Sequence, residues 1–209
     1  MAGIFLPAVE KYLSTVIPAS DPVLLEMEAY ARKHDVPIIG PECGRLLYLL
    51  TQISGAKRIF EMGSAIGYSA IWFASAAGPQ AEIYYTDGDP KNAAMARENF
   101  QKARIEKQVH ILTGDAVDLI DSVSGDFDII LIDVFKHQYP AALKKSLPRL
   151  KHGGLLIADN VLWSGRVTEA PKDEMTRGIL EFTEMIYSSK ELFPVIVPLR
   201  DGVAVCRKA

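Results

Sequence analysis

Oxygen-bearing side chains recur at one kind of place in this chain, directly after short aliphatic runs. Glu61-Met62-Gly63 closes one run, Asp87 the next, Gly114-Asp115 a third, Asp133 a fourth and Asp159-Asn160 a fifth. If each run is a strand of a parallel sheet, these residues gather at its carboxyl edge, where open α/β sheets bind ligands. Capping of a following helix explains Asp89 or Asp115 well. It explains poorly Asp133, which runs into Val134-Phe135-Lys136, and the Asp159-Asn160 pair. Asp133, Asp159 and Asn160 offer oxygen alone. With the fourth and fifth strands as neighbours, that set suits a hard divalent cation such as Mg²⁺, Ca²⁺ or Mn²⁺. No Cys or His accompanies them, which speaks against zinc. Lys136 follows closely on Asp133. An ammonium beside a dication is disfavoured in its charged form, so a lowered pKa and a general-base role are expected.

A second constellation lies in the segment 58–77. An apolar run ending at Met62 breaks at Gly63 and Gly67, and apolar residues then resume at helical spacing. That pattern is a strand, a tight turn and a helix start, which brings backbone N–H groups to a ligand. The glycines are spaced G-x-x-x-G, not the G-x-G-x-x-G of dinucleotide sites. Asp87 lies about 20 residues on, the usual distance for an acid that meets ribose hydroxyls. A nucleoside without a pyrophosphate is implied. The helix N-terminus at Ser69 can hold a carboxylate. A nucleoside with an amino-acid carboxylate describes S-adenosylmethionine (SAM). A glycine turn of purely structural use is the plainer alternative.

The elements that must carry these groups follow from periodicity. Helical patterns run to about Ile17, from a cap at Ser20 or Asp21 to about His34, and from Pro41 to Gly55. They read as a cover or a partner surface. Strands are expected over 57–62, 81–86, 108–113, 126–132 and 154–158. Helices are expected over 68–77, 90–103, 139–147 and 173–187. Aliphatic strands alternating with helices indicate right-handed βαβ units around a buried parallel sheet. The end differs: 193–199 and 203–207 flank Arg200-Asp201-Gly202, a hairpin signal. An antiparallel pair should therefore close the sheet.

With 209 residues, the chain suits one domain, with helices over 1–55 covering an α/β core over 56–209. The net charge of -3 and the lack of a basic run give no footprint for nucleic acid. No apolar stretch is long enough to cross a bilayer, and the amino terminus lacks a signal-peptide pattern. A cytoplasmic protein is expected, with Cys43 and Cys206 as free, packed thiols.

Together these residues resemble the cation-dependent SAM O-methyltransferases of the catechol and caffeoyl-CoA type, including small bacterial members. The segment 61–69, Glu-Met-Gly-Ser-Ala-Ile-Gly-Tyr-Ser, is similar to the family's first SAM motif, and 85–90 to its ribose segment with Asp87 as the acid. The turn 113–116, with Asp115 and Ala116, resembles the adenine side. Segments 131–139 and 153–165 resemble the metal-binding strings, and 39–42, beginning at Ile39, the cofactor lid. The resemblance implies a Rossmann-like, class I methyltransferase fold: a seven-stranded, mostly parallel sheet with an antiparallel last strand and helices on both faces. It implies SAM contacts at Ile39, Glu61, Gly63, Gly67, Ser69, Asp87, Asp115, Ala116 and Asp133. It further implies metal ligation by Asp133, Asp159 and Asn160, Lys136 as catalytic base, a small aromatic hydroxyl acceptor, and a homodimer. Many caffeoyl-CoA-type members carry a second acid where this chain has Phe135, which brings it closer to the catechol branch. Phe135, Tyr139, Trp163 and the loop 164–175 are candidates for the acceptor wall.

Other readings are a methyltransferase acting on RNA or protein, a nicotinamide-dependent oxidoreductase, and a non-catalytic SAM-binding module. The segment 133–136 lacks the Asp/Asn-Pro-Pro-aromatic string of amino-methylating enzymes. The missing G-x-G-x-x-G weighs against a nicotinamide site. Retention of the metal residues and Lys136 weighs against loss of catalysis.

Overall fold

The computed structural model describes residues 6–18 and 21–209. Three helices come first, α1 (Pro7–Val16), α2 (Pro22–His34) and α3 (Gly40–Ser54). Then follow β1 (Arg58–Met62), α4 (Tyr68–Ala77), β2 (Glu82–Asp87), α5 (Pro90–Lys102), β3 (Val109–Thr113), α6 (Ala116–Leu119) and β4 (Phe127–Ile132). The chain closes with α7 (Tyr139–Ser146), β5 (Leu150–Ala158), α8 (Glu174–Ser188), β6 (Leu192–Val197) and β7 (Val203–Lys208).

Local chemistry sets the helix starts. Asp21, Asp89 and Asp173 each stand before a helix and accept a backbone N–H of its first turn, at 2.9, 2.8 and 2.8 Å. In α2 and α5 a proline follows the cap, where its missing N–H costs nothing. Of the two caps expected for α2, Asp21 serves; Ser20 lies outside the described residues.

The strands form one seven-stranded sheet in the order β3-β2-β1-β4-β5-β7-β6. Strands β1 to β5 pair in parallel, and β7 runs antiparallel to both its neighbours. The Asp201-Gly202 signal thus marks the hairpin that inserts β7 between β5 and β6. The central strands are buried on both faces, as parallel strands covered by helices must be. Ile59 packs toward the α3 and α4 side, while Phe60 packs toward α7 and α8.

Two details depart from the expectations of sequence. Strand β5 begins at Leu150, ahead of the expected 154, and its register with β4 shifts between Phe127 and Ile129. The Gly153-Gly154 pair that looks like a boundary instead lies inside the strand. A Cβ on Gly154 would stand 2.9 Å from the carbonyl oxygens of Asp128 and Lys151, so only glycine fits this irregularity. Helix α6 has no counterpart among the expected elements, because four residues carry no readable period.

The amino-terminal helices are fastened to the sheet. The Trp72 indole of α4 fills the notch at Gly44 of α3, where an added Cβ would stand 2.2 Å from Nε1. The Tyr68 hydroxyl donates to Glu28 of α2 at 2.8 Å, and Arg200 donates to the Ile38 carbonyl at 3.1 Å.

Candidate active site

Adjacency of β1, β4 and β5 brings the chemistry together. Met62 pairs with Ile132 and Ile132 with Ala158. The next residues, Gly63, Asp133 and Asp159, therefore emerge side by side. Backbone bonds continue the ladder past the strand ends: Asp133 N–H to Met62 at 2.8 Å and Asp159 N–H to Ile132 at 3.2 Å. Gly63, at φ +83°, lies against the Asp133 carbonyl, which an added Cβ would meet at 2.3 Å. Glycine is required there by both conformation and space.

The glycine turn is built around Asp87 and Thr86. Asp87 Oδ2 accepts from Ala65 N–H at 3.0 Å, while Oδ1 accepts from Asp89 N–H at 2.8 Å and from Asn92 Nδ2 at 3.1 Å. Those bonds occupy three of the roughly four lone-pair positions of a carboxylate, so one remains for a ligand hydroxyl. The Thr86 hydroxyl donates to the Glu61 carbonyl at 2.6 Å and accepts from Gly63 N–H at 3.3 Å. Gly67, at φ +85°, lies so close to Phe100 of α5 that an added Cβ would stand 2.5 Å from the ring. Helix α4 begins without a side-chain cap, which leaves the amides of its first turn open beside Ser69.

Glu61 is fully buried beneath this turn. The Ser64 hydroxyl donates to Oε2 at 3.1 Å, while Oε1 has no partner among the described residues. Burial pushes its carboxyl up to about 7, against the opposing Ser69 and Ser64 hydroxyls and with a further push from Asp133. An orphaned carboxylate oxygen in a core is costly unless a ligand completes it.

Asp115 caps α6 by accepting from Val117 N–H at 2.8 Å, and its other oxygen accepts from Gln138 Nε2 at 3.0 Å. Ala116 is buried behind it. Ile39 is also buried, lining a small cavity with Leu131, Ile157 and Asp159. It therefore lies on the side of Asp159 rather than at the glycine turn.

Lys136 is almost wholly enclosed. Its Nζ lies 3.1 Å from Asp133 Oδ1, 2.7 Å from the Tyr139 hydroxyl and 3.4 Å from the Val134 carbonyl. Tyr139 in turn donates to the Asp159 carbonyl at 2.7 Å. Lys136, Tyr139 and Asp159 thus form one connected chain. Tyr139 is fully buried with its ring edge-on to Phe182, so it is not part of an acceptor wall. Its role escapes the sequence because an aromatic at a helix start reads as acceptor wall or as packing, not as the hydrogen-bond anchor of a lysine. Gly178 of α8 escapes it too: an added Cβ there would stand 2.4 Å from the Lys136 carbonyl, so α8 presses directly on the lysine's backbone. Phe135 remains 70% exposed and Trp163 partly so, with the Arg166 guanidinium 5.3 Å from its ring.

Asp159 is buried, and its carboxyl is pushed up to about 7 by that burial and by the charge of Asp133; the Asn160 amide, Lys136 and Arg200 oppose the shift. The Asp159 carboxyl at its strand tip is thus incompletely compensated. Among the described residues, no group of three or more His, Cys, Asp or Glu side chains gathers as a metal site. Asp133 and Asp159 end neighbouring strands, and Asn160 follows with its backbone N–H donating to Asp159 Oδ1 at 2.9 Å; oxygen donors of this kind are what a hard cation takes, part of its shell being left for water or substrate.

Residues 18–209 match the model of the O-methyltransferase family. A catechol O-methyltransferase of Niastella koreensis is 34% identical over 95% of both chains. A caffeoyl-CoA O-methyltransferase of Eucalyptus globulus is 26% identical over 93% of this chain and 85% of its own. The crystal structure of an O-methyltransferase from Bacillus cereus in complex with SAH superposes with a TM-score of 0.88, at 29% identity and covering 97% of each chain. The strand-tip carboxylates, the enclosed lysine and the glycine turn thus stand in a chain that belongs to the O-methyltransferase family.

Proposed function

We propose that this enzyme moves a methyl group from SAM to one hydroxyl of a small catechol-like or caffeoyl-type aromatic, with a divalent cation at Asp133, Asp159 and Asn160. The observation that carries the proposal is the juxtaposition of Asp133 and Asp159 with Lys136, one strand tip away from the glycine turn. The excess of carboxylate over positive charge supports a dication. The demethylated form of SAM in the Bacillus cereus relative supports the choice of donor.

In this reading the open amides at the start of α4, with Ser69, take the donor's carboxylate, and the remaining acceptor position of Asp87 takes a ribose hydroxyl. Gly63 and Gly67 keep the turn low enough for the donor to lie over it. Glu61 Oε1 is the buried acceptor beneath, and Asp115 with Ala116 borders the adenine. Ile39 helps close the cover over the site. The bound donor supplies an electrophilic methyl on a positively charged sulfur. A divalent cation supplies Lewis acidity to the vicinal oxygens of the acceptor, which also orients them.

Lys136 Nζ takes the proton of the attacking hydroxyl. The new O–C bond forms as the C–S bond breaks, and the electron pair stays on sulfur as a neutral thioether. Positive charge is consumed in that transfer, so positioning is the chain's main contribution. Asp133 and the Tyr139 hydroxyl hold the lysine in place. Phe135 and Trp163 offer aromatic surface for the acceptor ring.

A cytoplasmic setting accords with two buried, unpaired thiols. Among the described residues no helix is long and apolar enough to cross a membrane. A homodimer belongs to the same proposal: Val9, Tyr12 and Val16 on α1 and Leu49 and Ile53 on α3 leave apolar surface exposed.

The test is methylation of a catechol panel by chelator-treated protein with and without added Mg²⁺, beside Asp159→Ala. Metal-dependent product that Asp159→Ala abolishes, with SAM binding retained, is expected. Full activity after chelation would remove the cation from the reading.

A further inference from the structure

The β6–β7 turn reaches back into the active site. Three hydrogen bonds join it to the segment just after Asn160. The Gly202 carbonyl accepts from Val161 N–H at 3.0 Å, the Asp201 carbonyl from Leu162 N–H at 2.9 Å, and Asp201 Oδ1 from Ser164 N–H at 2.5 Å. Asp201 is 4% exposed, and Gly202 sits so close to Leu162 that an added Cβ would stand 2.4 Å from its Cγ.

The segment so held is conformationally unusual. Asn160, Trp163 and Ser164 have φ of +56°, +48° and +53°, and Gly165 has +81°. A non-glycine residue in this left-handed region is disfavoured, so such a run persists only where its surroundings enforce it. Close to the segment, Trp163 N–H to Asn160 at 3.2 Å, Gly165 N–H to Leu162 at 2.9 Å and Asn160 N–H to Asp159 Oδ1 at 2.9 Å oppose that cost. The bonds from the turn are the external restraint.

We propose that Asp201 is a positioning residue for Asn160: its carboxylate, bonded to Ser164 N–H, holds the segment of left-handed residues that begins at Asn160, whose backbone N–H donates to Asp159 Oδ1 at 2.9 Å. The consequence for a cation rests on the metal reading above. Nothing in the clamp calls for the charge of Asp201. Oδ1 alone makes the bond, while Oδ2 is buried without a partner among the described residues. An asparagine keeps an acceptor oxygen for Ser164 and places its amide nitrogen where Oδ2 stood. An alanine removes the clamp.

The test compares Asp201→Ala, Asp201→Asn and Asp159→Ala with wild type in the full chain. Mn²⁺ and SAM are titrated separately by calorimetry, and amide exchange is followed over residues 160–165. Asp201→Ala should weaken Mn²⁺ binding by about 10-fold or more, as loss of a group that orients a metal ligand does. It should also speed exchange at Ser164 and leave SAM affinity in place. Asp201→Asn should restore both Mn²⁺ affinity and protection. Wild-type Mn²⁺ affinity and exchange in Asp201→Ala, with Asp159→Ala defective, overturns the clamp alone. An Asp201→Asn protein as weak as Asp201→Ala overturns it in favour of a role for the charge. Parallel loss of SAM binding in Asp201→Ala overturns it in favour of general damage. Wild type that takes up no Mn²⁺ overturns the metal reading, and with it any role of Asp201 toward a cation.

Discussion

Glu61→Gln should stabilise the ligand-free chain, and increasingly so as the pH rises. The carboxyl is fully buried, one of its oxygens has no partner among the described residues, and its ordinary value of 4.5 is pushed up to about 7, chiefly by burial. Because the folded value lies above the unfolded one, the folded chain holds an extra proton between the two. The stability tied to that proton is present at low pH and is lost as pH rises through about 7. At about 1.4 kcal/mol for each tenfold change in proton affinity, the ionised carboxylate costs the folded state roughly 3 kcal/mol above neutrality. Glutamine has the same shape and no charge to desolvate. Its advantage over wild type should therefore grow by about 2–3 kcal/mol between roughly pH 5 and pH 8.5. At about 2–4 °C per kcal/mol for a chain of this size, the gap in Tm should widen by roughly 5–10 °C.

Asp159 is also pushed up to about 7, but it is present in both proteins and drops out of their difference. The assay is thermal unfolding by circular dichroism across that range, with chelator and without SAM. A gap in Tm that stays constant with pH would refute the reasoning. The same variant should bind SAM less tightly, since the unpartnered oxygen lies beneath the donor's turn; stability held below its optimum at a binding site is a common trade.

Lys136→Met should lower turnover by about 100-fold or more while SAM affinity, read by calorimetry, stays close to wild type; a normal rate would remove the base assignment. Tyr139→Phe leaves Lys136 and the Asp159 carbonyl without their shared hydroxyl, which should cost about 1–3 kcal/mol in denaturant unfolding and depress turnover as well. Gly63→Ala forces a Cβ onto the Asp133 carbonyl at a left-handed φ, so it should cost about 2–4 kcal/mol and impair SAM binding, with Gly55→Ala, which has open space, as the milder control.

Much of the site is legible in the chain itself. Acidic residues at the ends of aliphatic runs are a local signal, because strand length and side-chain type identify the carboxyl edge of a parallel sheet. The residues at 63, 67, 87, 133, 136, 159 and 160 stand out that way, and the Asp201-Gly202 turn announces the antiparallel end. The resemblance adds expectations that residue chemistry could not supply, namely the lid contact at Ile39, an aromatic hydroxyl acceptor and a homodimer. Other parts are hidden. Tyr139 as anchor of Lys136, Gly178 as the notch for its backbone and Asp201 as a clamp depend on contacts between segments far apart in the chain. Residue type alone gives Tyr139 to packing and Asp201 to turn chemistry.

The sequence by itself thus determined an α/β chain whose strand ends carry a glycine turn and an oxygen-rich, lysine-bearing stretch, because these follow from short-range periodicity and residue chemistry. Only the tertiary structure decided how those ends are shared. Strand order set Gly63, Asp133 and Asp159 side by side, and burial pushed the Glu61 carboxyl up to about 7. Three bonds of Asp87 went to its own chain. Register, burial and hydrogen-bond partners are non-local quantities: they depend on which distant segment arrives at a given face, and no window of neighbouring residues contains that information.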